Sequence, residues 1–243
     1  MSDGIWSALS GAIAQERALE VVANNVANTN TVGFRADRLV FEEALAEAGA
    51  DGPAPASLRY VEVAESAADT AQGALQQTGG ALDLALEGDG FFAVRTPAGE
   101  RYTRAGSFVT DAEGVLVTPQ GHPVIAEGGD EDEPALIRIP PGTADVRIDE
   151  SGSIFAGADQ VGALRIVRFD EAPQKEGITL FTGQNAIDSD ATVRQGYLEM
   201  ANVNAVAGMN ELITVSRTFE AFQKVIDTFQ SLDQRTARDL AAG

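Results

Sequence analysis

Few side chains in this sequence could carry out acid–base or metal chemistry. The single histidine, His122, lies in a Gly-His-Pro turn, so a Ser–His–Asp triad or a histidine-based metal site would depend on that one imidazole. No nucleophile-elbow, HExxH, P-loop or GxGxxG motif accompanies it. The chain has no cysteine, which excludes disulfides, thiolate metal sites and a cysteine nucleophile. We interpret His122 as a turn residue.

Three carboxylates lie close together in the sequence, as the acid and base of a glycosidase would need to. They are Asp83, Glu87 and Asp89. Asp83 and Glu87 fall at outward positions of a predicted strand, and Asp89 falls in the following turn. The acidic run at 128–133 (GGDEDE) lacks the alternating ligands of a calcium loop, so a solvated loop is favoured. We predict no catalytic residue, no cofactor and no metal site, and therefore no enzyme.

The charge of the chain argues against two classes of partner. The formal net charge is −20, whereas nucleic acids and anionic lipids require a basic face. The charge is unevenly distributed: residues 1–38 hold four acidic and three basic residues, and 209–243 hold five acidic and four basic ones. Near-neutral ends suit packing against protein, and an acidic middle suits contact with water. No nucleic acid and no small-molecule substrate is expected as a partner.

The N-terminal stretch is predicted to be an amphipathic helix that ends in a turn. Ile5, Leu9, Leu19 and Val26 lie on its thin apolar seam. The stretch 23–38 (ANNVANTNTVGFRADR) then interrupts it, because Asn competes for backbone hydrogen bonds and Asn and Gly accept left-handed angles. We predict an elbow whose residues are Asn24, Asn25, Asn28, Gly33 and Phe34. The absence of early basic residues argues against a cleaved secretory signal, so an export route that keeps this helix is expected.

The C-terminal stretch is predicted to be a long helix with a heptad seam. Apolar residues step by three and four along it, at Leu212, Val215, Phe219, Phe222, Ile226 and Phe229. Such a seam would be exposed in a lone helix, and an exposed apolar face normally marks an interface. We expect the two terminal helices to pair with each other and with neighbouring copies.

The middle of the chain is predicted to be mainly antiparallel β structure. Short runs rich in Val, Ile, Phe and Tyr alternate with Gly, Pro and Asp turns from Leu82 onward. Before them, residues 41–49 (FEEALAEAG) could form a short helix, followed by an extended stretch. The predicted class is α+β, with terminal helices pairing as a coiled coil. The predicted divisions are an N-terminal helix (1–35), a connector (36–80), a β-rich outer domain (81–195) and a C-terminal helix (196–243).

Three segments together resemble the bacterial flagellar rod and hook proteins, the axial family of the flagellum. They are residues 10–38 (SGAIAQERALEVVANNVANTNTVGFRADR), 81–124 (beginning ALDLALEGDGFFAVR) and 196–228 (GYLEMANVNAVAGMNELITVSRTFEAFQKVIDT). They occur in the family's order. Chain length and the last segment favour the proximal-rod branch, whereas residues 125–195 carry no matching motif.

This resemblance implies a structural subunit of the flagellar basal body. Members of the family pair their terminal helices in an inner tube, carry a β domain outside it and are exported unfolded by the flagellar type III apparatus. Rod members assemble in the periplasm with copies of themselves and other rod subunits, and transmit torque. The alternatives are a distal-rod or other axial subunit or, in a different class, a secreted carbohydrate-active or adhesive β domain with helical tails.

Overall fold

The computed structural model describes residues 2–45, 59–129, 135–143 and 145–241 of the chain. Two long helices enclose the strands in sequence: α1 spans Ser2–Ala27 and α2 spans Ala205–Ala241. In chain order, the strands between them are β1 (Asp37–Leu45), β2 (Arg59–Ala68), β3 (Leu75–Gln77), β4 (Leu84–Glu87), β5 (Phe91–Thr96), β6 (Gly99–Thr103), β7 (Val109–Thr110), β8 (Leu116–Val117), β9 (Val146–Ile148), β10 (Ser153–Ala156), β11 (Asp159–Ala163), β12 (Ile166–Arg168), β13 (Gln174–Glu176), β14 (Leu180–Thr182), β15 (Ile187–Asp188), β16 (Thr192–Gln195) and β17 (Tyr197–Glu199). Two terminal helices with antiparallel strands between them confirm the predicted α+β class.

The chain divides into two compact units, each built from separated pieces of sequence. Unit 1 comprises Met1–Ala27, Asp37–Ala67 and Asn204–Gly243, and unit 2 comprises Asn28–Ala36 and Ala68–Val203. Unit 1 therefore holds both helices and most of the two-stranded sheet β1–β2, and unit 2 holds the other strands.

Unit 1 contains two helices that contact each other. A Cβ atom added to Gly11 would lie 2.6 Å from the Phe222 ring, and one added to Gly208 would lie 2.8 Å from Val26. From Gly11 to Val26 the residue number rises along α1, whereas the contacting residue in α2 falls from Phe222 to Gly208. The two helices therefore run antiparallel. Among the described residues, no helix combines the length and apolar composition needed to cross a membrane.

Unit 2 is organised around a six-stranded sheet in the order β13-β14-β6-β5-β12-β15. Its neighbouring strands pair antiparallel. Side chains alternate across a strand, and β5 uses both faces: Phe92 and Val94 enter one apolar cluster with Leu84 and Leu86, whereas Phe91 joins a second. Burial on both faces makes this sheet the core of unit 2.

The first strands of unit 2 in the sequence pair with its last strands. β17 pairs with β3, and β16 pairs with β4. Both pairings bring the last residues before α2 against the first strands after β2. Residues 195–203 are therefore built into unit 2.

The structure contradicts one prediction for the middle of the chain, and another falls mostly outside the described residues. The short helix suggested for 41–49 is wrong as far as the described residues reach, because β1 extends to Leu45. Pairing of β1 with β2 in a two-stranded sheet overrides the local helical preference of this stretch. Residues 130–133 of the acidic run considered for calcium (128–133) lie outside the described residues.

Candidate functional site

The end of α1 is held to the start of β1 by one asparagine of the predicted elbow. The helix runs past Asn24 and ends at Ala27. The Asn25 amide donates to the carbonyl oxygen of Asp37 (2.8 Å) and accepts from the Asp37 amide nitrogen (2.9 Å). The Asn25 side chain thus pairs with both the amide and the carbonyl of Asp37, as a neighbouring strand would. This pairing fixes where β1 begins.

The next nine residues form a compact turn inside unit 2. The Thr31 amide donates to the Asn28 carbonyl (3.0 Å), and the Gly33 amide donates to the Glu199 carbonyl (2.8 Å). Gly33 has φ of +68°, a left-handed value that favours glycine. A Cβ atom there would lie 2.2 Å from the backbone nitrogen of Ala105. Both backbone angle and space therefore require glycine at this position.

Phe34 anchors the turn in the interior. Its side chain is fully buried, and the Lys175 ammonium lies 3.9 Å from the ring centroid, within the range of a cation–π contact. The same ammonium donates to the Arg35 carbonyl oxygen (2.8 Å). Lys175 thus binds both the ring and the backbone of the elbow.

A buried ion cluster joins the elbow to the rest of unit 2. Arg35 and Arg104 are 1% and 3% exposed, and Glu199 is 0% exposed. Arg35 Nη1 lies 2.7 Å from Glu199 Oε1, and Arg104 Nη1 lies 3.3 Å from Glu199 Oε2. Glu199 Oε1 also accepts from the Gly73 amide (2.8 Å). One carboxylate therefore ties together three separate stretches of chain.

The two arginines in this cluster outnumber their shared carboxylate. The pKa of Arg104 is lowered to about 10, mainly by burial and also by the neighbouring Arg35, whereas Glu199 and Asp89 oppose the change. Nε and Nη2 of Arg35 and Nε of Arg104 are buried without a hydrogen-bond partner. Such a cluster costs desolvation energy and makes Glu199 indispensable to both cations. Its geometry serves to hold separate chain segments together.

Two asparagines at the end of unit 2 and the start of α2 complete the arrangement. The Asn202 amide accepts from the Ala36 nitrogen (2.7 Å) and donates to the carbonyls of Asp69 and Ala71 (both 3.0 Å). In unit 1, Asn204 caps α2, because its side-chain oxygen accepts from the Ala207 amide (3.0 Å). Both asparagines therefore satisfy backbone groups close to the start of α2.

The predicted assembly seam lies along the contact between α1 and α2. Most of its members are half-buried: Ile5, Leu19, Val26, Leu212, Val215, Phe219, Phe222, Ile226 and Phe229. Leu9 differs, since it is 39% exposed on α1 beside Trp6 and Ile13. The structure thus brings Phe222 against Gly11 of α1 in the same chain and leaves Leu9 exposed.

Two of the three carboxylates considered for catalysis have ordinary partners. Glu87 forms an exposed ion pair with Arg194 (2.7 Å), and Asp83 accepts from the Thr78 hydroxyl (2.6 Å). The backbone of His122 closes a turn with Thr118. Within the described ranges, no group of three or more His, Asp or Glu residues could hold a metal ion.

The sequence analysis missed four residues that organise this site: Arg35, Arg104, Glu199 and Asn202. All four lie within the segments that carried the resemblance, and Arg35 directly follows Phe34. The one signal in the sequence is that the charged Arg35 directly follows an aromatic residue that must be buried, which suggests that the charge is buried too. It remains weak, because charged residues are rarely fully buried unless paired.

Comparisons with known proteins agree with this architecture. Family models match residues 5–35 (flagella basal body rod protein), 85–156 (flagellar hook protein FlgE/F/G D1 domain) and 194–239 (flagellar basal body rod FlgEFG protein C-terminal). Arg35, Arg104 and Glu199 each fall in a different one of these segments.

Similar proteins cover almost the whole chain. The flagellar basal-body rod protein FlgF of Caulobacter vibrioides is 35% identical, covering 99% of this chain and 98% of its own length. FlgF of Rhizobium meliloti is 34% identical (96% of both chains), and the rod protein FlgG of Bacillus subtilis is 30% identical (96% of this chain and 97% of its own). None of these names denotes a catalytic protein. The chain therefore belongs to the flagellar basal-body rod protein family, as a structural rod subunit of the flagellar basal body most like FlgF.

Proposed function

We propose that this chain is a subunit of the proximal rod that assembles with copies of itself and other rod subunits through its terminal helices. In this role it transmits torque along the drive shaft. The observation that carries the proposal is the antiparallel contact of α1 with α2, in which Gly11 allows the Phe222 ring to approach the helix backbone. A helix pair with near-neutral ends suits the interior of a protein assembly.

The helix pair is proposed to act as a coiled coil. The α2 seam follows a heptad from Leu212 to Phe229, and these side chains are only half-buried within one chain. Burying the remaining area of a Phe or Leu contributes up to about 1.5–3 kcal/mol per side chain. Packing against neighbouring copies would complete this burial, so assembly would stabilise each subunit.

The elbow is proposed to carry load where the chain passes through unit 2. Residues 28–36 enter and leave this unit, and Gly33, Phe34 and Arg35 are each held by it. A turn locked by a buried ion cluster resists bending better than a solvated linker. The family resemblance further implies export through the flagellar type III apparatus before folding.

The proposal is tested by complementing a deletion of this gene with a Phe222→Asp variant. A carboxylate at the contact with Gly11 should prevent incorporation, because burying an unpaired charge costs several kcal/mol. The measurement is the amount of the chain in isolated basal bodies, together with swimming. Gln223→Asp is the matched control, since Gln223 is the exposed neighbour in the same helical turn.

The outcomes separate the competing proposals. Normal rods with Phe222→Asp would refute assembly through this seam. To separate a proximal from a distal position, the chain is located in basal bodies that lack the distal-rod subunit. Retention there supports the proximal rod, and loss supports the distal alternative.

A further inference from the structure

A cavity of about 240 Å³ lies beside the buried ion cluster of unit 2. It is formed between the loop that joins β4 to β5 (88–90) and the stretch that follows β12 (169–173). Arg104 and Phe91 belong to its wall. Its volume is below the roughly 300 Å³ at which pockets for drug-sized ligands begin. The cavity therefore suits a small molecule or the end of a chain.

Arg104 supplies a buried positive charge to this wall. Its guanidinium carbon lies 5.3 Å from the centroid of the Phe91 ring, and its Nη2 donates to the carbonyl oxygen of Gly88 (2.7 Å). Arg104 shares the Glu199 carboxylate with Arg35, so two cations depend on one anion. A buried cation is costly unless an opposite charge compensates it. An anion in the adjoining cavity would supply that missing compensation.

The acidic group that faces Arg104 from the loop is Asp89, and it compensates the charge only in part. Burial lowers the pKa of Arg104, and the Asp89 carboxylate acts in the opposite direction. Asp89 is exposed, however, between Gly88 and Gly90, and water screens the interactions of an exposed carboxylate. An anion that enters the cavity would therefore compete with Asp89 for Arg104.

The rest of the wall restricts which anion fits. The rings of Phe91 and Phe169 lie 5.8 Å apart and offer an apolar surface. Asp170 and Glu171 are exposed on the same wall, and Arg168 balances one of them through its ion pair with Asp170 (3.1 Å). Together with Asp89, these carboxylates repel an ion of charge −2 more strongly than one of charge −1. The site favours a single negative charge joined to an apolar body.

We propose that this cavity binds a small monocarboxylate, with the carboxylate towards Arg104 and an apolar body against Phe91 and Phe169. The ligand is either a free organic acid or the carboxyl terminus of a peptide. One charge and a few apolar atoms give weak binding, with a dissociation constant on the order of 1 mM. The site lies wholly within unit 2, so it does not depend on assembly through the terminal helices.

The test is a titration of the full-length chain with isovalerate, followed by NMR of the Gly90 and Phe169 amides. Saturable shifts are expected. Isovaleramide has the same shape without the charge and is the matched control; it should bind about tenfold more weakly, because hydrogen bonds to charged groups are the stronger ones. Inorganic phosphate should also bind more weakly than isovalerate. N-acetylglycylvaline presents a carboxylate at the end of a peptide, so tighter binding than isovalerate indicates a chain terminus and weaker binding indicates a free acid.

Variants of the wall test the direction of the charge effect. Asp89→Asn removes an exposed competitor and should strengthen isovalerate binding about fivefold, as expected for the loss of one like charge at close range in water. Arg104→Met should weaken binding about tenfold, with the fold checked in the same NMR spectra. Arg168→Gln changes an exposed arginine of the wall and should alter binding only slightly.

Three results would overturn the proposal. The first is equal binding of isovalerate and isovaleramide, which would show that charge is not recognised. The second is weaker isovalerate binding in Asp89→Asn, since the loop carboxylate would then assist the ligand and not compete with it. The third is loss of binding in Arg168→Gln with binding kept in Arg104→Met. If Arg104→Met unfolds unit 2, Asp89→Asn decides alone.

Discussion

Replacing Glu199 with Gln should destabilise unit 2 more than any single exposed ion-pair change. The substitution preserves shape but leaves Arg35 and Arg104, both almost fully buried, without their shared counter-charge. Removing one partner from a buried ion pair typically costs about 3–5 kcal/mol. At roughly 2–4 °C per kcal/mol, the midpoint for unit 2 should fall by about 6–20 °C.

The assay should follow the two units separately in the full-length chain. Trp6 is the single tryptophan and belongs to unit 1, so its fluorescence reports on the helices. Amide resonances from β5 and β6 report on unit 2. During urea unfolding of Glu199→Gln, unit 2 amides should lose their native signals at lower denaturant than in the unmodified chain.

Two further variants determine whether charge is the cause. Glu87→Gln breaks the exposed pair with Arg194 and should change the stability of unit 2 little, because solvent screens exposed ion pairs. Arg104→Met removes one of the two cations and leaves a balanced Arg35–Glu199 pair, so it should cost less than Glu199→Gln. If Glu199→Gln costs no more than Glu87→Gln, the buried cluster does not hold unit 2 together and the reasoning is refuted.

Further predictions concern the elbow and one surface turn. Gly33→Val should lower the thermal midpoint and reduce rod incorporation more than Ala36→Val, because only the first imposes a Cβ clash and an unfavourable φ; equal tolerance would exclude a special role for the elbow. Asn202→Ala should cost about 1–3 kcal/mol in urea unfolding, because it leaves backbone groups unsatisfied, and an unchanged midpoint would contradict this. The Ser151 hydroxyl is the main cause of the lowered pKa of Asp149, so Ser151→Ala should raise that pKa in an NMR titration. The contribution of Asp149 to stability should be present above its usual value near 3.8 and disappear as pH falls through the lower folded value; identical titration curves would refute the assignment.

The parts of the fold that follow periodicity could be predicted from the sequence. Steps of three and four residues identified α2, and alternation around Phe92 and Val94 identified the central strand. The elbow was also indicated, since asparagines and a glycine limit the helix and Gly33 has the left-handed angle that its residue type suggested. These features depend on local preferences that a short stretch of chain already expresses.

The ion cluster could not be predicted, because it depends on contacts between distant residues. Nothing near Arg104 distinguishes it from a solvated arginine on a strand, and its burial depends on Glu199 arriving from β17. The helix suggested for 41–49 failed for a related reason, since pairing with β2 outweighs local helical preference. Exposure of Leu9 likewise depends on which face of α1 meets α2, and the seven-residue repeat alone does not decide that.

The position of Glu199 near the end of unit 2 has a consequence for the order of folding. A chain that emerges with its N-terminus first presents Arg35 early and Arg104 later, but neither has its counter-charge until residue 199 is available. Closing the β core before residue 199 is available would bury two cations without their shared carboxylate, which costs several kcal/mol, so we expect unit 2 to become stable only once Glu199 is in place.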